Sequence, residues 1–115
     1  MKNTVSIKRN NDFRALYKRG KSSVSPVLAI YARKNKTTSN RIGITVSTKV
    51  GKAHVRNRVR RRIREAYRIN ETSFKKGIDM VIVARVRAAE VTFHEIEKNL
   101  LLLTEKLGLL LEVQE

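Results

Sequence analysis

The chain has 115 residues, with 26 Lys and Arg against 10 Asp and Glu and a formal net charge of +16, so a single basic domain over 1–115 is expected. It contains no Cys, which excludes disulfides and thiolate metal sites and makes a reducing, cytoplasmic location the expectation. The longest apolar runs, 80–84 and 100–103, fall far below the roughly 20 residues that span a bilayer, and MKNTVSIKRNND lacks a secretory apolar stretch, so neither a membrane protein nor a secreted disulfide scaffold is expected.

From the N-terminus, Asn10 or Asn11 is positioned to cap a short helix over 12–19 that closes at Gly20. Phe13, Leu16 and Tyr17 share one face of it. A polar stretch with the only proline, Pro26, leads into VLAIYAR (27–33), a strand with Leu28, Ile30 and Ala32 on one face and Ala29, Tyr31 and Arg33 on the other. After the polar loop KNKTTSN (34–40), RIGITVS (41–47) alternates, with Ile42, Ile44 and Val46 inward and Gly43, Thr45 and Ser47 outward. Two strands across a short polar loop predict an antiparallel hairpin. A helix over 51–69 buries Val55, Val59, Ile63 and Ala66, flanked by Tyr67. IDMVIVAR (78–85) is nearly continuous in apolar residues, the pattern of a strand buried on both faces. Thr92 and Glu95 form a capping box opening the last helix. Its core stripe is Phe93, Ile96, Leu100, Leu103 and Leu107, its stop is Gly108, and residues 109–115 are left unassigned. Phe74 and Phe93 read as core. The fold class is α+β, about four strands with three helices in the order αβββαβα.

The charge is concentrated. Residues 1–89 carry 24 basic and 4 acidic side chains, a net +20, while 90–115 carry 2 and 6, a net −4. Within KAHVRNRVRRRIREAYR (52–68), Asn57, Arg61, Arg64 and Arg68 form a stripe opposite the apolar one, with Arg56 and Arg60 along one border and Arg58 along the other. Six like-charge pairs lie at i+3 or i+4 between Arg56 and Arg68, and they cost an isolated helix about 1–3 kcal/mol at roughly 0.2–0.5 kcal/mol each. Glu65 is the only acid within the stretch to offset them. A face kept for solubility would mix signs. Phosphates supply the missing counter-charge, and the planar guanidinium fork suits them. These residues point to nucleic acid without choosing RNA over DNA.

The run from Ile42 to Arg68, IGITVSTKVGKAHVRNRVRRRIREAYR, resembles the central block of the bacterial ribonuclease P protein family. Arg56-Asn57-Arg58, followed by basic residues at 60, 61 and 64, is similar to that family's arginine-asparagine-arginine motif. Gly43, Ser47, Lys49 and Gly51 match at the right spacing, and RNNDFRALYKRGK, the strand with Tyr31, IVAR and the Leu-rich helix follow in family order. His54 departs from an expected small or aliphatic residue, and Arg87 stands where many relatives carry proline.

The resemblance implies a protein subunit that is not itself catalytic. It binds a catalytic RNA, and the two together remove the 5′ leader of precursor tRNA with Mg²⁺ held mainly by RNA. No catalytic or metal-ligating residues are assigned to the protein, and Asp12, Glu65, Glu71 and Asp79 are scattered along the sequence. By resemblance, Arg56, Asn57, Arg58, Arg61 and Arg64 dock the RNA, supported by Arg60, Arg68, Lys49 and Lys52. Phe13, Tyr17, Tyr31 and Arg33 form a cleft for the single-stranded leader, where rings stack on bases at roughly 1–3 kcal/mol each. The family also implies a left-handed crossover through the arginine helix. The leading alternative is a general or ribosomal RNA-binding protein with no part in tRNA processing. A DNA-binding module is disfavoured, because the helix has few side chains for base reading. So is an enzyme acting alone.

Overall fold

The structure, a computed structural model, describes residues 4–112. Along the chain the elements are β1 (Thr4–Ser6), α1 (Asn10–Arg19), β2 (Lys21–Val24), β3 (Leu28–Lys34), β4 (Asn40–Val46), α2 (Ala53–Ile69), β5 (Ile78–Ala84) and α3 (Phe93–Lys106). The α+β class is as expected, but the sheet has five strands, in the order β1-β4-β5-β3-β2. The sheet's edge strands, β1 and β2, are short and largely polar.

The predicted hairpin of β3 with β4 does not form. β5 lies between them, antiparallel to β3 and parallel to β4, with Asp79 opposite both Arg33 and Arg41. A hairpin closed by 34–40 would set Arg33 beside Arg41, a like-charge pair that destabilises a sheet. The inserted strand places a carboxylate between them. Asp79 is 1% exposed; its oxygens accept from Arg41 Nε at 2.8 Å and Nη2 at 2.5 Å and from Asn35 Nδ2 at 2.9 Å, with Arg33 Nε 3.9 Å away. β5 is the expected doubly buried strand.

The two faces of the sheet are covered unequally. α2 and α3 pack on the face formed by Leu28, Ile30, Ile42, Met80 and Ile82, which join Val59, Ile63, Ile96, Leu100 and Leu103 in the main core. Tyr67 is 1% exposed and fully in that core, tilted against Phe74 at 5.0 Å. Its hydroxyl stands within hydrogen-bond distance of Thr4 Oγ1 (2.8 Å), which donates to Glu71, and it accepts from Asn40 Nδ2 at 3.4 Å, a relay joining β1, β4 and α2. On the other face α1 sets Leu16 against Ile7 and Val81, with Phe13 and Tyr31 at the margin.

Element ends differ in detail from expectation. Arg9, not Asn10 or Asn11, is the residue before α1, and it makes no side-chain cap. Gly20 is extended (φ −74°), and it is required there because an added Cβ would lie 2.6 Å from Leu16 O. α2 begins at Ala53 rather than Gly51, after a 3₁₀ turn over Thr48–Val50. Thr92 Oγ1 accepts from Glu95 N at 3.2 Å, as the capping box requires, and Gly108 takes φ +73° at the stop. Arg87 lies in a 3₁₀ turn over Val86–Ala89, which sets the path after β5. Of the unassigned tail, Leu110 bridges to Phe74 and Leu111 N bonds Ser73 O at 2.8 Å; residues 113–115 lie outside the described residues. No helix among the described residues is long and apolar enough to cross a membrane.

Burial alone raises the Asp79 carboxyl. The hydrogen bonds from Arg41 and Asn35 and the charges of Arg41 and Arg33 outweigh it, so its pKa lies below the ordinary carboxylate value. The unfolded chain therefore binds the proton first, and this stability is complete above pH ~4 and fades as the pH falls through the lowered value. Asp79→Asn is expected to cost about 3 kcal/mol, the lower end for a broken buried pair because Arg41 is partly solvated, and to flatten the fall in stability below pH ~4. Urea denaturation across pH 3–7 checks both; an unchanged acid limb would refute the assignment.

Candidate nucleic-acid interface

The side chains of α2 divide into two groups by what they touch. Val59, Ile63, Ala66 and Tyr67 are buried, and Asn57, Arg61, Arg64 and Arg68 stand on the exposed face, as the periodicity predicts. The half-buried arginines at the borders are bonded locally. Arg56 Nε donates to Gly51 O at 3.2 Å, Arg58 Nη2 to Ala89 O at 3.4 Å and Arg62 Nη1 to Val91 O at 3.2 Å. Arg58 and Arg62 thereby hold α2 to the segment between β5 and α3, and Arg58 Nε is buried without a partner. Arg60 Nη1 donates to Asn57 Oδ1 at 3.1 Å, which makes Asn57 an orienting group for its neighbour.

Glu65 is engaged with one arginine only. Arg68 donates to it through Nε at 2.9 Å and Nη2 at 2.5 Å; these bonds lower the Glu65 carboxyl and raise the Arg68 guanidinium from their ordinary values. Arg68 therefore carries its charge already shared. Arg61 and Arg64 form no ion pair among the described residues, and Lys49 and Lys52 are exposed beside the helix start. This gives a line of free cations along the solvent side of α2.

The aromatic residues also separate. Tyr17 and Tyr31 meet edge to face with centroids 4.9 Å apart, and Tyr17 is 42% exposed. The Tyr17 ring is exposed, while Tyr31 is half-buried against the Leu16 cluster. Phe13 is half-buried and lies over Gly43, where an added Cβ would stand 2.6 Å from its Cε1. Gly43, expected to face outward, is thus buried under a ring, the close approach that a glycine within a strand marks. Arg33 is drawn towards Asp79 and lies apart from the tyrosines' stacking edge in what it bonds.

The fold joins the two groups. A recess of about 140 Å³ is lined by Phe13, Ile7, Gly43 and Ile44 together with Arg60 and Arg64. Past the end of β1, which pairs with β4 only as far as Ile42, the β4 edge faces this recess. Sequence reasoning missed β1 and with it Ser6 and Ile7 as lining residues, since three residues carry no periodic signal. The acids that looked scattered are each engaged. Asp12 (3.4 Å) and Asp79 share Arg41, Glu65 holds Arg68, and Glu71 accepts from Thr4.

A family profile described as Ribonuclease P matches residues 1–108. The ribonuclease P protein component of Clostridioides difficile (strain 630) is 50% identical over 98 residues, covering 84% of this chain and 86% of the relative. That of Alkaliphilus metalliredigens (strain QYMF) is 44% identical over 110 residues, covering 96% and 99%. Among solved structures, the Staphylococcus aureus RNase P protein superposes with a TM-score of 0.83 at 31% identity, over 90% of this chain and 95% of that one. The Thermotoga maritima RNase P protein gives 0.79 at 34% identity, over 87% and 96%.

The division of the α2 arginines is testable without substrate. Replacing Arg61 and Arg64 together by Gln is expected to leave the urea midpoint unchanged and to lower the slope of log Kd against log salt for RNA by about 1.5–2. Arg62→Gln should do the reverse, costing about 0.5–1.5 kcal/mol of stability with little change in slope. Equal effects on both readouts from both variants would remove the distinction.

Proposed function

The chain belongs to the ribonuclease P protein family, and from that premise we propose that α2 docks on the catalytic RNA subunit while Tyr17 and Tyr31 hold the 5′ leader of precursor tRNA. Its function is that of the protein component of an endoribonuclease that matures tRNA 5′ ends. The observation that carries the finer reading is the recess shared by Phe13 with Arg60 and Arg64, which lets a strand lying on the aromatic edge meet the cations of α2. Arg61 and Arg64, with Lys49 and Lys52, neutralise phosphates. Arg56 and Arg58 fix the helix against its surroundings while presenting their remaining N–H groups, and Asn57 orients Arg60. Tyr17 and Tyr31 stack on unpaired bases with little sequence preference. Phe13 supports that edge from below, and Arg33 adds positive charge beyond it.

In this reading the Mg²⁺ of the reaction is held by RNA phosphates, in the cytoplasm where the RNA works. The acidic side chains of residues 4–89 do not fit a hydrated Mg²⁺ site, because each is already bonded to a guanidinium or a hydroxyl. The protein contributes positioning and screening of RNA charge, which lowers the Mg²⁺ the RNA needs.

Cleavage of a leader-bearing precursor tRNA by a bacterial ribonuclease P RNA at low Mg²⁺ tests this. The wild-type protein is expected to restore cleavage, and Arg61→Ala with Arg64→Ala to abolish the rescue. Tyr17→Ala should weaken the leader-bearing substrate about 5–150-fold, matching roughly 1–3 kcal/mol per stacked base, and leave a leaderless tRNA unaffected. Tight RNA binding without rescue would reduce the protein to a general RNA binder.

A further inference from the structure

A second concavity is distinct from the recess beneath α2. It has a volume of about 680 Å³ and sits where the β3 end, the β5 start, the loop between β3 and β4 and the α3 end converge. Arg33, drawn to Asp79, lines its wall, and its rim carries Arg19, Lys21, Lys34, Lys36, Lys75 and Lys76. All six are exposed, and none forms an ion pair among the described residues. Ala32, Ile78, Leu107 and Leu109 supply apolar wall. No carboxylate and no aromatic ring lines it.

The backbone beneath these cations is firmly built. Asn35 Oδ1 accepts from Thr37 N at 2.9 Å and Thr37 Oγ1 at 2.7 Å, its Nδ2 donates to Ser39 O and Asp79, and its N–H bonds Gly77 O at 2.8 Å. Within that turn Lys36 takes φ +62°, a conformation ordinarily left to Gly or Asn. Gly77 opposite, at φ +79°, has no space for a Cβ, which would stand 2.4 Å from Thr37 O. The lysines are thus flexible stems on a fixed rim.

The site lies at the end of the sheet opposite the start of α2. Lys34 pairs with Ile78 at this end and Leu28 with Ala84 at the other, where Arg58 bonds Ala89 O beyond the strand. Seven residues at roughly 3.3 Å each put about 20 Å between the two ends. Six exposed like charges stand around one concavity whose seventh cation, Arg33, is the one that shares an acid, and among the described residues the six have none, so they are held for a polyanion. With no ring to stack a base and no carboxylate to accept from a ribose hydroxyl, the lining recognises phosphates and not bases. Lysine suits that task as a compact charge without directional demands.

We propose that this cavity is a second RNA-backbone site, which seats a phosphodiester strand of the ribonucleoprotein assembly at the far end of the sheet from the start of α2. The proposal rests on the reading that the protein works bound to a catalytic RNA. It makes the protein a brace between two RNA segments rather than a one-sided ligand.

The absence of native cysteine makes a direct test simple. Lys36→Cys, Lys76→Cys, Lys52→Cys and Lys98→Cys, each carrying an azidophenacyl group, are assembled with a bacterial ribonuclease P RNA and photolysed. Positions 36 and 76 are expected to cross-link to discrete nucleotides distinct from those reached from position 52, and position 98, on the outer side of α3, to none. In parallel, Lys34→Gln, Lys36→Gln, Lys75→Gln and Lys76→Gln combined should lower the salt slope of RNA binding by about 2–3 with the thermal midpoint unchanged. Cross-links from 52 alone, with an unaltered slope, overturn the second site and leave the proposed function standing. Silence from 52 as well defeats both.

Discussion

Asp79 organises the sheet. It is a carboxylate on the central strand, 1% exposed, facing an arginine on each neighbouring strand. A lone buried acid would be costly, and two adjacent arginines would repel; together the three satisfy one another. The arrangement also selects strand order, since only β5 between β3 and β4 interposes the acid. Arg41 then reaches Asp12 at 3.4 Å and so ties α1 onto the same face. With α1 placed there, Tyr17 reaches Tyr31 and Phe13 reaches Gly43. The aromatic edge depends on a charge interaction that contains no aromatic residue.

Much of this was legible from periodicity, and the failures share a cause. The buried faces of α2 and α3, the capping Thr92, the stop at Gly108 and the double burial of β5 each rest on contacts within an element or on its own hydrophobic pattern. The hairpin was misread because local signals, alternation and a polar loop, cannot see a partner 38 residues further on, such as Asp79 opposite Arg41. β2, with the sequence KSSV, is an edge strand with mostly exposed side chains, so it shows no apolar alternation. β1 is too short to have a period. Gly43 was the one sequence clue to the aromatic packing, and its significance appears only once Phe13 lies above it.

The same reasoning explains why the list of arginines on α2 was legible but their division was not. Spacing sorts side chains by direction, and by direction Arg58 and Arg62 look like further members of a cationic face. What commits them is a pair of carbonyls, Ala89 O and Val91 O, supplied by a turn that follows β5. Arg68 is set aside in another way, by the one acid on its own helix. The free cations are thus the remainder after structural needs are met, and they fall on one strip.

That the acids of the basic body are few and each engaged has a consequence for the field around the molecule. Asp12 and Asp79 are absorbed by Arg41, and Glu65 by Arg68, so no unpaired carboxylate from these interrupts the positive potential of the α2 face or of the rim at the other end of the sheet. Six of the ten acids lie after residue 89, three of them on α3. α3 packs on the same side of the sheet as α2, and its acids accordingly bound the positive surface on one flank. A polyanion approaching this protein meets attraction along α2 and across the end of the sheet and no comparable attraction from α3, whose three Glu stand against two Lys. A field of this shape orients an approaching polyanion before any contact forms.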